Sequence, residues 1–322
     1  MKKLLIIALI STFILGGCTE KTDNVVKGNS QNQSISQESE NENKEENKIT
    51  KEDEEEIVLQ YNEIIKNEKP YVAMEYIDKN IEKVSEENAG AMILGLENIQ
   101  RDYTYEYSSA LFENDRANQL HNTFGFEFDK EKIDTIEDSD LKELITEIIN
   151  GGYKLVVLEG DFYPIQNYSL LKKYIPYLSN DMKDYIEIYA TESEKLSFKD
   201  AHLAISWDEL ADRALKTESY LLKYKDVPEI KEVGNLYIGY IRPYIHPMND
   251  YSEPNKINDE VINAYKRVVD EHEGTTTAQI TKELLDILQK NNYQVNDQIQ
   301  KESDRLFKKA LESLNVEDNN SY

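Results

Sequence analysis

The sequence predicts an all-α fold, an irregular array of α-hairpins, and three observations carry that prediction. After residue 49 apolar side chains recur mostly at helical spacing. Helix punctuation brackets those segments, with Ser, Thr or Asn before the apolar stripe and Gly or Pro after it. Long runs of β-branched residues are scarce.

Thr50 is a good N-cap and Asp53 follows three residues later, so the acidic run Glu52 to Glu56 falls in a first helical turn, where the helix dipole favours it. Ile57, Tyr61, Ile64 and Ile65 continue that helix on one face. Pro70 suits the first turn of a second helix, which carries Met74, Ile77, Ile81 and Val84. Ala89, Met92, Ile93 and Leu96 keep the period despite Gly90 and Gly95. Between Tyr103 and Phe128 aromatics are dense, and Phe124-Gly125-Phe126-Glu127-Phe128 alternates as a strand would, so this stretch reads as irregular. Leu141, Leu144, Ile145, Ile148 and Ile149 form a stripe that Gly151-Gly152 stops.

Leu155-Val156-Val157-Leu158 has the composition of a buried strand, but a run of four suits either state, and the neighbouring helices favour helix. Further helices are expected over Ser169 to Leu178, Asp181 to Ala190 and Ser206 to Tyr224, the last opened by a capping box of Ser206 and Glu209. Pro228 opens a helix with Ile230, Val233, Tyr237 and Ile238 inward, stopping near Pro243. Asn258 caps a helix that Gly274 closes, and Ala278 to Leu288 and Asn296 to Leu314 complete the C-terminal half.

The first eighteen residues carry a separate signal. Lys2 and Lys3 precede an apolar run from Leu4 to Leu15, too short to span a bilayer, and Leu15-Gly16-Gly17-Cys18 sets small residues before the one cysteine of the chain. That tetrapeptide resembles the bacterial lipobox. The resemblance implies a lipid on Cys18, removal of residues 1–17, and a protein held extracytoplasmically, at the outer face of the cytoplasmic membrane or in an outer-membrane leaflet, with a Gram-positive envelope the favoured setting. Residues 18–49 are rich in Asn, Gln, Ser, Glu and Lys and poor in apolar side chains, the composition of a disordered acidic tether. The remaining divisions expected are an N-terminal helical region over 50–150, a C-terminal one over 151–316 and a disordered tail over 317–322.

The turns after Tyr224 and after His272 each end one amphipathic helix and start another. They resemble the inter-repeat turns of tetratricopeptide-like proteins, though the repeat period of that family is absent. The stretch from Glu159 to Phe307 is also similar to uncharacterised helical regions of secreted Firmicute proteins, a resemblance that implies no active site.

A net charge of −26, most of it on the body, excludes nucleic acid as a partner, because phosphate recognition needs a basic footprint. With its one cysteine reserved for lipid, the body is held by its core and not by disulfides. His121, His202, His246 and His272 are widely separated and no glycine-rich phosphate loop occurs, so no metal or other cofactor is expected. Glu159 and Asp161 flank Gly160 and could act as acid and base on a glycan, or merely sit in a turn, which is the better reading. Tyrosine suits wet interfaces, and Tyr237, Tyr240, Tyr244 and Tyr251 with His246 form the candidate binding groove.

The functional expectation is a membrane-tethered, non-catalytic binding or scaffold module whose partner is a protein or an envelope polymer. Two alternatives stand beside it. One is a transporter's solute-binding lipoprotein, the other a wall-active hydrolase using Glu159 and Asp161.

Overall fold

In the computed structural model, residues 50–318 are described except 247–250 and 254, with the backbone alone at 251–253. The signal (1–17), Cys18, the tether (18–49) and residues 319–322 of the tail lie outside the described residues. All described residues belong to one compact unit.

The chain begins at the expected cap. The Thr50 hydroxyl accepts from Asp53 N–H at 3.1 Å while the Asp53 carboxylate accepts from Thr50 N–H at 2.9 Å, opening α1 (Lys51–Asn67). Pro70 starts α2 (Pro70–Asn80), and Ser85 caps α3 (Glu86–Leu111) through Asn88 N–H. Helix α3 is longer than its sequence suggests. Tyr103 to Leu111, read above as irregular, continue it, with Tyr107 and Leu111 buried one turn apart. Next come α4 (Arg116–Phe124) and α5 (Ser139–Asn150). Gly125, at φ 70°, ends α4, so the Phe124–Phe128 alternation follows a helix stop and is not a strand.

Leu155 to Leu158 correct the helical expectation. They belong to β1 (Tyr153–Leu158), which pairs antiparallel with β2 (Asp161–Gln166) through a two-residue turn at Glu159-Gly160. Both turn residues have positive φ, 50° and 90°, the primed hairpin geometry whose twist matches the strands. Ser169 to Leu178 form 3₁₀ turns over Tyr168–Tyr177 and not an α-helix, and Pro176 limits their extension.

Helix α6 (Asn180–Glu194) leads to a second hairpin, β3 (Phe198–Lys199) and β4 (His202–Leu203), and then to α7 (Trp207–Lys223) and α8 (Ile230–Ile245). Ser206 supplies its half of the capping box by accepting from Glu209 N–H at 3.1 Å. Pro243 lies inside the last turn of α8, where a missing N–H costs one bond, so the helix runs to Ile245. Strands β5 (Tyr251–Glu253) and β6 (Lys256–Ile257) precede α9 (Asp259–Glu271), α10 (Thr276–Lys290) and α11 (Asp297–Leu314).

The described strands form three separate two-stranded ladders on an otherwise helical array. Most helices pack around one core running from Tyr61 to Leu314, and a smaller core gathers Tyr107, Phe124, Ile145, Tyr153, Leu155 and Phe162 under the first hairpin. Burial of a polar group requires a partner, and two such groups pin helices together. Glu218 of α7 accepts from Thr276 N–H at 2.6 Å, Thr277 N–H at 2.9 Å and the Thr277 hydroxyl at 2.6 Å, capping α10. Arg213 of α7 reaches Glu192 and Glu209, both at 2.6 Å, and the Lys195 carbonyl at 2.9 Å. No helix among the described residues is long and apolar enough to cross a membrane.

Candidate functional site

The expected tyrosine groove is core. Tyr237, Tyr240 and Tyr244 are 0%, 3% and 0% exposed, because their spacing aligns them on the face of α8 that meets α7, α10 and α11. Their hydroxyls or rings are engaged inside. The Tyr240 hydroxyl donates to Glu192 at 2.8 Å, Tyr237 lies 3.3 Å from the Thr277 hydroxyl, and the Tyr244 ring packs edge-on against Tyr265 at 5.0 Å. His246 follows α8 and lies 3.0 Å from Asp304 of α11. Tyr251 starts β5 opposite Ile257, and its side chain is outside the described residues.

Glu159 and Asp161 stand at the tip of the first hairpin, where Glu159 is exposed and Asp161 lies 3.3 Å from His121 Nε2. Glycan cleavage needs two carboxylates facing one another across a sugar, and two residues flanking a turn glycine at a solvent-facing tip do not enclose one. No group of three His, Cys, Asp or Glu close enough to hold a metal ion occurs among the described residues.

A buried carboxyl escaped sequence reasoning altogether. Glu97 of α3 is 2% exposed; one oxygen accepts from the Tyr185 hydroxyl at 2.9 Å and the other has no hydrogen-bond partner among the described residues. Burial pushes its pKa up to about 8, against the Tyr185 hydrogen bond and the charge of Arg101, which pull it down. Tyr168, Tyr185 and Tyr189 pack ring to ring within 4.7 to 6.3 Å beside it. The group is sealed in the core, so it bears on stability and not on a ligand.

An open site lies along β1. Residues 154–157 form one wall of a cleft of about 480 Å³, faced by Phe126 and Phe128 after α4, by Leu196 after α6 and by Lys199 of β3. Side chains along a strand alternate between faces, yet four consecutive β1 residues share this wall and no β2 residue does. The wall is therefore the free edge of the strand. Asn167 N–H donates to the Gly152 carbonyl at 2.9 Å, which sets the alternation of the ladder: Lys154, Val156 and Leu158 exchange hydrogen bonds with β2, while Leu155 and Val157 aim N–H and C=O outward. Pro164 sits opposite Leu155, a position where its missing N–H costs the ladder nothing. No described residue takes up the outward groups of Leu155 and Val157 by backbone pairing.

The cleft is preformed. Glu159 N–H donates to the Asp200 carboxylate at 2.5 Å, tying the tip of the first hairpin to that of the second, whose own turn has Asp200 and Ala201 at positive φ. The opposite flank of the sheet is covered, since α3 and α4 pack against β2. Phe126, 76% exposed, stands at the mouth. Four residues of free edge span ~13 Å, the length of a short extended peptide. Comparison with protein-family models, with curated proteins and with solved structures finds no match.

Proposed function

We propose that the chain is a non-catalytic binding module of the cell envelope, anchored by lipid on Cys18 and capturing an extended segment of a partner protein as an added strand along β1. The observation that carries this reading is the unpaired edge at Leu155 and Val157, held open beside an apolar wall. Backbone groups that aim outward from a strand are the recognition element of strand addition, and the flanking pockets select side chains. The anchoring half rests on Leu15-Gly16-Gly17-Cys18. Three isolated antiparallel ladders favour this reading over a two-lobed solute-binding protein, which is built on alternating strands and helices.

The test uses a fluorescein-labelled hexapeptide of alternating Val and Thr with one central Glu. Val157→Pro deletes an N–H that the hairpin does not use and removes one anchor of the incoming strand. Pro164 shows that this ladder tolerates proline at a position of the same kind. Fluorescence anisotropy should report capture by the wild type and at least tenfold weaker capture by Val157→Pro at unchanged thermal stability. Equal binding by the two proteins, or none by the wild type, refutes strand capture.

A further inference from the structure

We propose that the β1 cleft selects an extended segment carrying a carboxylate side chain beside Lys154. The inference rests on the strand-capture reading and adds the chemistry that would choose the segment.

Lys154 is the second residue of β1 and lies half-buried in the cleft wall. Its ammonium makes no ion pair or hydrogen bond with any described side chain, a state that is costly for a partly desolvated cation. The charge that offsets it is that of Glu194, and that carboxylate is already engaged by Lys172 and Ser169, each at 2.9 Å. Burial holds the Lys154 pKa below its ordinary value, as expected of a cation that lacks a close counter-ion.

The opposite wall repeats the sign. Lys199 is exposed on β3 and has no ion pair among the described residues, whereas Lys195 beside it is taken by Glu209 at 2.7 Å. Glu127 on the rim is the cleft's other acidic residue besides Glu194. The lining carries three lysines against two glutamates inside a chain of net charge −26, which locally offsets the repulsion of an acidic partner.

Lys154 occupies a hydrogen-bonded position of the β1–β2 ladder, so its side chain stands off the sheet next to the outward groups of Leu155. A residue of an added strand that faces Lys154 would bring its Cβ to about 5 Å, within reach of a Glu or Asp carboxylate. The apolar wall of Phe128, Leu196 and Val157 then suits the β-branched neighbours of that acid.

Three labelled hexapeptides of alternating Val and Thr, with Glu, Gln or Lys at the centre, are titrated against the full chain and against Lys154→Met and Lys154→Glu. The wild type should bind the Glu peptide about tenfold more tightly than the Gln peptide, and the Lys peptide most weakly. Lys154→Met should bring the Glu peptide to the Gln level and leave the Gln peptide unchanged, a readout that loss of folding would not give. Lys154→Glu should reverse the order of the Glu and Lys peptides. Three peptides bound alike by the wild type overturn the carboxylate proposal and leave strand capture standing. Failure of all three to bind overturns strand capture itself. Inorganic polyphosphate that displaces the Glu peptide, binds Val157→Pro normally and is lost in Lys154→Met would make the cleft a site for phosphate polymers and overturn the peptide proposal.

Discussion

Replacing Glu97 by Gln should flatten the pH dependence of stability. A glutamic acid titrates near 4.5 in the unfolded chain and at about 8 in the fold, where burial disfavours its charge. The folded state therefore binds the proton more tightly, and stability falls as pH rises from 4.5 to about 8. Each pH unit inside that window costs about 1.4 kcal/mol, so this carboxyl removes roughly 2–3 kcal/mol between pH 5 and pH 7. Gln keeps an oxygen for the Tyr185 hydroxyl and has no proton to lose, although its amide N–H meets no partner where the second carboxylate oxygen was. That penalty shifts the absolute stability of the variant without tilting it against pH. Urea denaturation at pH 5, 6 and 7 should show the stability difference between wild type and Glu97→Gln changing by that amount across the range, the wild type losing ground as pH rises. Curves that stay parallel within 0.5 kcal/mol would refute the assignment of a raised pKa to Glu97.

Cys18→Ala should abolish incorporation of radiolabelled fatty acid, and undiminished label would remove the lipid anchor from the proposal. Tyr244→Ala should cost about 3–5 kcal/mol as a core truncation, and Tyr240→Phe about 1.5–3 kcal/mol for its bond to a carboxylate, with capture of the Glu peptide unchanged in the folded fraction. Loss of capture in a stable Tyr240→Phe would return the tyrosines to the site. Glu218→Gln should lose about 1–3 kcal/mol by weakening the cap on α10, read by chemical denaturation, and a neutral result would mean that the three hydrogen bonds contribute no net stability.

Local signals were legible where the chemistry is local. Thr50 with Asp53 forms both bonds of its box, and Ser206 makes the one it controls, because a cap involves residues three apart. The run at Leu155 was ambiguous by itself, and the decisive clue lay beyond it, in a glycine at 160 that supplies a primed turn and a proline at 164 placed where no N–H is wanted. Tyr103 to Leu111 misled through composition, since aromatics suit strands, but here they line a helix packed on Tyr153. The tyrosines of α8 had the right stripe and the wrong exposure. A stripe says that a face is covered, not whether by ligand or by three neighbouring helices. The cleft itself was illegible, for it is assembled from residues near 126, 155 and 199, brought together only by the packing of two hairpins.

The two flanks of the first hairpin differ, and the difference limits how copies of this chain can associate. One flank offers hydrogen-bonding groups, while the other lies under α3 and α4 and carries Pro164. Sheet growth through β2 is blocked, so it proceeds from the β1 side alone. If two copies met through β1, each would consume the other's open side, and the four-stranded product would be closed by a two-fold axis. High local concentration favours chain reactions between exposed strands, and this arrangement stops those between copies at the dimer.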